Sequence, residues 1–183
     1  MNASAFVIGP PEGAGATLLD LARSLGFVRV ERYQSLGRVE RQSAETPLAF
    51  FLCAAVSDVM SLKPVADTIR YAPSIKMRFS PLIYFAHSLS RECIKSCIRM
   101  GFDDVIALPY SAGNIVDRLD RQVGKVHTYY ETATYFGPDR RNRIDDGRTS
   151  QSDHGGGEYR RIEIIRDPVT GIDVLRDDYE FVI

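Results

Sequence analysis

The stretch best suited to chemistry lies near the start, where "FVIGPPEGAGATLLDLARSLGF" (Phe6 to Phe27) runs from an apolar segment through a Gly/Pro-rich turn into a helical pattern. Such a turn cradles phosphate when it reads G-x-x-x-x-G-K-[ST], because backbone N–H groups surround the phosphates and the Lys reaches the outer oxygens. Here the motif would end Gly15-Ala16-Thr17, which puts Pro10 where the first Gly belongs and Ala16 where the Lys belongs. Pro10 and Pro11 also lack N–H donors. The residues argue against a nucleotide-phosphate site.

Other chemistry-bearing residues are scattered. Cys93 and Cys97 sit four apart on one helical face, but no His or acid at ligand spacing joins them, so they read as small core residues and no metal site is expected. Cys53 lies in the apolar "FLCAAV", where an inert buried thiol is expected rather than a redox sensor. His87 has no nucleophile or carboxylate placed beside it. Late in the chain, "YFGPDRRNRIDDGR" gathers Arg140, Arg141, Arg143 and Arg148 beside Tyr135 and Phe136. Arginine forks with aromatic stacking suit a phosphate ligand such as a cyclic dinucleotide, or a single strand of nucleic acid. Interspersed Asp139, Asp145 and Asp146 weaken an anion site, and the D-x-S-x-x-G element that would complete a dinucleotide-binding pattern does not follow.

The elements that must position these residues are legible from the hydrophobic pattern. The chain has 183 residues, enough for one domain with a real core and an appended element. Its net charge of -1 encodes no bulk attraction to nucleic acid or an anionic membrane. The odd number of cysteines, 3, fits no disulfide framework, so a reducing cytoplasm is expected. No apolar run approaches the roughly 20 residues of a membrane span. Short apolar runs alternate with amphipathic stretches: "AFVIG", "VRVERY", "PLAFFLCAA", "PLIYFAH" and "DVIALP" read as strands, each followed by a helical segment. That pattern predicts an α/β, flavodoxin-like, doubly wound parallel sheet of five strands in the order 2-1-3-4-5. Residues 1–124 form this unit. Residues 125–158 are polar, Gly-rich and charged, and are expected to be an arm or linker, while 159–183 carry two β-rich runs flanking "DPVTG", a C-terminal β-hairpin.

Residues 5–122 resemble the response-regulator receiver domain of two-component signalling. "LLDLARSLGF" is similar to the first receiver helix with its closing Gly and aromatic. "MGFDDVIALPY" resembles the A-G-A-x-D-x-[ILV]-x-K-P-[FY] segment, with Gly101, Asp104, Pro109 and Tyr110 in register. The resemblance implies where a receiver would hold its chemistry: two acids for Mg²⁺ after strand one, a phosphoacceptor Asp after strand three, a Ser/Thr after strand four and a Lys before the Pro of strand five. Those positions fall on Gly9 and Pro10, Cys53, Ala86 and Leu108. None can do the corresponding work: no carboxylate is left to hold Mg²⁺ or attack phosphorus, and Ala and Leu cannot contact phosphoryl oxygens. Glu12 and Asp58 are displaced from the acidic positions and read as loop or cap residues.

The resemblance therefore implies a degenerate receiver, not an enzyme and without a cofactor, that acts by binding a regulatory protein partner or as a homodimer. The surface a receiver uses would comprise Arg91 to Met100, Asp104 to Leu108 and Ser111 to Val123, with Ile115, Val116 and Leu119 inward and Asp117, Arg118, Asp120 and Arg121 outward. The C-terminal arm and hairpin are expected to pack on a partner or a second subunit. The alternative is an effector that binds a cyclic dinucleotide through the arginine-rich arm.

Overall fold

A computed structural model describes residues 2–107, 109, 111–139 and 158–181. Strands β1 (Ala3–Ile8), β2 (Arg29–Arg32), β3 (Leu48–Cys53), β4 (Leu82–Ala86) and β5 (Asp104–Ala107) make a parallel sheet of order β2-β1-β3-β4-β5. Between them run α1 (Ala14–Ser24), α2 (Leu36–Gln42), α3 (Lys63–Arg70), α4 (Ile75–Arg78) and α5 (Arg91–Arg99), and α6 (Ala112–Asp120) closes the unit. This is the sheet and strand order that the apolar runs predict.

The local reasons lie in the sequence. Ser35, Ser74, Ser90 and Ser111 each cap the helix that follows by accepting a backbone N–H three residues on. Asp58 caps a 3₁₀ turn, Val59–Leu62, that runs into α3 with Pro64 in its first turn. Strand β3 is apolar throughout because both of its faces are covered. Phe51 and Cys53 join Phe6, Ile69, Met77 and Phe102 on one side of the sheet, and Phe50 and Leu52 join Val7, Leu18, Ile115 and Leu119 on the other.

A second, antiparallel sheet has the order β7-β6-β8-β9, formed by β6 (Val126–Glu131), β7 (Phe136–Pro138), β8 (Glu158–Asp167) and β9 (Gly171–Phe181). The hairpin turn is where "DPVTG" placed it: the Asp167 carboxylate accepts the N–H groups of Val169 and Thr170 at 2.7 and 2.9 Å. The expectation of a polar arm from residue 125 is corrected for its first part, where β6 and β7 are strands. The strand β8 is the long-range partner of β6, pairing Val126 with Ile165 and Glu131 with Arg160, a match that a local reading of composition misses. The rest of the expected arm, residues 140–157, lies outside the described residues.

The hairpin also docks on its own chain, where the sequence pointed to a partner or second subunit. Phe79, at the end of α4, packs with Tyr129, Phe136, Ile162 and Ile164 as a third apolar cluster. Gly124 donates to the Arg166 carbonyl at 2.9 Å, and the Asn2 side chain donates to the Pro168 carbonyl at 3.2 Å. Gly101 (φ +77) and Gly137 let the backbones meet: a Cβ at Gly101 would stand 2.4 Å from the Phe136 carbonyl oxygen, and one at Gly137 2.7 Å from the Gly101 Cα.

Candidate functional site

In an open α/β sheet the place for ligands is outside the carboxyl ends of the strands, near the point where strand order reverses between β1 and β3. Parallel register brings the sequence-predicted positions together there. Ile8, just before Gly9, is level with Cys53, Cys53 is level with Tyr84, and Ala86 is level with Ala107. Leu108 lies outside the described residues.

The described positions carry no charge, with Gly9 and Pro10 exposed and Cys53 and Ala86 buried. Cys53 is fully buried. Burial, with the neighbouring Cys97 thiol, pushes the Cys53 thiol well up, and the Arg70 guanidinium only partly opposes this, so Cys53 stays protonated and is no nucleophile. Ala86 is buried. Ala54 donates to the Ile8 carbonyl at 2.8 Å, and a Cβ at Gly9 would lie 2.8 Å from the Ala54 Cβ, so Gly9 permits the close approach of the two strand ends. Pro10 is exposed, and the Pro10 and Pro11 carbonyls accept from the Arg32 guanidinium at 3.3 and 2.7 Å. The loop thus turns carbonyls, not N–H groups, toward a cation of its own chain.

Glu12 is exposed, and the exposed Asp58 carboxylate is engaged as a cap, accepting the Met60 N–H at 2.9 Å. Among the described residues no group of three His, Cys, Asp or Glu side chains could hold a metal ion. Beside these strand ends, a shallow groove of about 380 Å³ runs between the 3₁₀ turn and α5, lined by Met60, Tyr84, His87, Glu92 and Cys93 among others. The Tyr84 hydroxyl accepts the Val56 N–H at 3.3 Å, and burial raises its pKa. His87, directly after β4, lines this groove.

The α6 face is less uniform than its sequence. Asp117, Asp120 and Arg121 are exposed. Arg118 turns inward instead: its guanidinium forks the nearly buried Asp104 at 2.8 and 2.5 Å, which leaves the outer face with fewer cations. Val116 is 37% exposed, correcting its inward assignment, because Ile115 and Leu119, one helical turn apart, already fill the seam against the sheet.

The strongest electrostatic feature lies at the opposite end of the sheet, and sequence reasoning missed it. Asp103, just before β5, accepts from Arg70 at 2.5 Å, from Arg166 at 2.8 Å, from the Leu82 backbone at 2.8 Å and from the Tyr129 hydroxyl. All four side chains are nearly or fully buried. Burial raises the Asp103 pKa, but the Arg166 and Arg70 guanidinia outweigh it and hold the carboxyl well below the usual carboxylate range. Arg166 also reaches the Phe79 carbonyl at 2.8 Å and the Gln122 side chain at 3.1 Å. Its only signal in the sequence is an arginine in phase with Ile162 and Ile164 on an otherwise apolar strand face.

The arm residues divide. Phe136 is buried, its ring 5.6 Å from Phe79 and 5.7 Å from Tyr129 with the Arg78 guanidinium over it at 4.8 Å. It therefore has no free face on which a base could stack, a correction to the ligand-binding expectation. Tyr135 is half-buried and donates to the Pro138 carbonyl at 3.1 Å. Arg140, Arg141, Arg143 and Arg148 lie outside the described residues.

No family model matches the chain, and no curated protein is similar to it. Solved structures match its fold. A response regulator from Thermotoga maritima is 11% identical, with 68% of this chain and 100% of that one covered at a TM-score of 0.50. The receiver domain of a sensor histidine kinase from Pseudomonas aeruginosa PAO1, which holds a magnesium ion in its active-site cleft, is 20% identical over 68% of this chain and 98% of its own, at 0.49. A putative pilus assembly-related protein from Burkholderia pseudomallei K96243 is 19% identical over 67% and 89%, at 0.47.

Proposed function

We propose that this chain, whose parallel sheet has the fold of a response-regulator receiver domain, is a pseudo-receiver: a phosphorylation-independent protein–protein interaction module of a bacterial two-component or related regulatory pathway. It catalyses no reaction and needs no metal. The observation that carries this reading is the fully buried Cys53 at the end of β3, level with Ile8 and Tyr84, with Gly9 and Ala86 at the neighbouring strand ends. Phosphotransfer needs an exposed carboxylate and Mg²⁺ held by hard oxygen ligands. A chain relieved of that chemistry can keep a fixed binding surface, and the face made by α5, β5 and α6 offers Asp117, Asp120, Arg121 and the exposed Val116 to a regulatory partner.

The test is titration with Mg²⁺ and beryllofluoride, a phosphoryl mimic, following backbone amide shifts around Gly9, Cys53 and Ala86. No saturable shift is expected. A saturable shift centred on these residues would mean that Glu12 or Asp58 supports a metal site, and the pseudo-receiver reading would fall.

A further inference from the structure

Among the described residues, strand β9 is an edge of the second sheet, paired with β8 alone. It spans Gly171–Phe181, and its residues 173–179 are all exposed, among them Val174, Leu175 and Tyr179 at 39, 55 and 63%. An edge this long leaves a row of backbone N–H and C=O groups without a strand partner among the described residues, and three exposed apolar side chains on it are unusual for a face that meets only water.

We infer that β9 pairs antiparallel with β9 of a second copy of this chain about a two-fold axis near Asp177, joining the two four-stranded sheets into one of eight. The charge pattern selects this occupant. With the axis at Asp177, Arg176 of each copy lies opposite Asp178 of the other, so the in-strand contact between the Arg176 guanidinium and the Asp178 carboxylate extends into a ring of four alternating charges. Leu175 of each copy then stands beside Tyr179 of the other. Asp177 would meet its own symmetry mate, but each Asp177 carboxylate is already held by a fork from Arg160 at 2.5 and 2.6 Å, which also lowers its pKa. Charges on an edge strand ordinarily repel foreign strands, and here the same charges complement only a copy of themselves. The bulge beside Glu163 and Ile164 leaves Leu175 out of the β8 register, so the centre of the pairing, Arg176 to Asp178, is regular and each copy's Leu175 meets the other's Tyr179 at its flank.

The test is sedimentation equilibrium of the full chain over a concentration series, with Arg176→Asp, Asp178→Arg and an equimolar mixture of the two. The wild type is expected to dimerise. Each single variant places like charges opposite one another twice, and should weaken the dimer by about tenfold or more. Mixing the variants should restore a heterodimer, because each Asp then faces an Arg. Thermal unfolding of each variant as monomer separates loss of pairing from loss of fold. A wild type that stays monomeric, or a dimer indifferent to both substitutions, or variants that fail to recover on mixing, would overturn the inference. None of these outcomes bears on the beryllofluoride titration.

Discussion

The two ends of the parallel sheet have opposite characters. At the carboxyl ends of the strands, where the fold usually concentrates polar chemistry, stand Gly9, Pro10, Cys53 and Ala86, and the nearest acids are an exposed Glu12 and a capping Asp58. At the amino ends, ordinarily given over to stability, a fully paired buried cluster joins Arg70, Asp103, Tyr129 and Arg166. Ionic groups are concentrated at the end where they bind the second sheet to the first, and the other end is apolar.

The sharpest way to break the contrast is to remove its central charge. Asp103→Ala leaves two buried guanidinia facing each other, and breaking a buried pair in this way costs about 3–5 kcal/mol. Urea unfolding should show a loss of that size. The pH dependence follows in sign. Asp103 titrates lower in the folded chain than in the unfolded one, so its stabilisation is complete above the unfolded carboxylate value of about 4 and is lost as pH falls below it. The wild type should therefore lose stability steeply below that pH, while Asp103→Asn should start lower and fall less. A wild type with no steeper acid limb than the variant would show that the cluster contributes little.

Tyr129→Phe makes a smaller cut in the same cluster. It removes the hydroxyl that donates to Asp103 and that Arg166 meets, while its ring stays against Phe79 at 5.1 Å. One lost bond to a charged group predicts about 1.5–3 kcal/mol in the same urea titration. A change near zero would mean that water enters and replaces the hydroxyl.

What the sequence could disclose divides along the same line. Periodicity was sufficient for the five parallel strands, because each is a short apolar run whose burial depends on itself. The serine caps of α2, α4 and α6 showed only in the structure. The second sheet was only half legible. β8 and β9 announce themselves by a turn, but β6 joins them only through a long-range pairing with β8, and Tyr129, Phe136 and Arg166 acquire their roles only when that pairing brings them over Phe79 and Asp103. Arg70, read as part of an amphipathic helix, is buried because the Gly101 carbonyl and Asp103 wait for it. Charge in a core is decided by tertiary partners, which composition does not carry.

At the other end of the sheet the acids should prove dispensable, and the two of them rank by structural duty alone. Asp58→Ala removes the cap of the 3₁₀ turn and should cost about 1 kcal/mol. Glu12 is exposed on a loop, so Glu12→Gln should change stability by less than about 0.5 kcal/mol. Both effects should be the same with and without Mg²⁺, since a ligand that binds only the folded chain stabilises it by mass action and removal of its ligating carboxylate would show as a metal-dependent loss. If Glu12→Gln costs stability only when Mg²⁺ is present, the carboxyl end of the sheet holds a cation after all, and the two ends of the molecule are less different than their charges suggest.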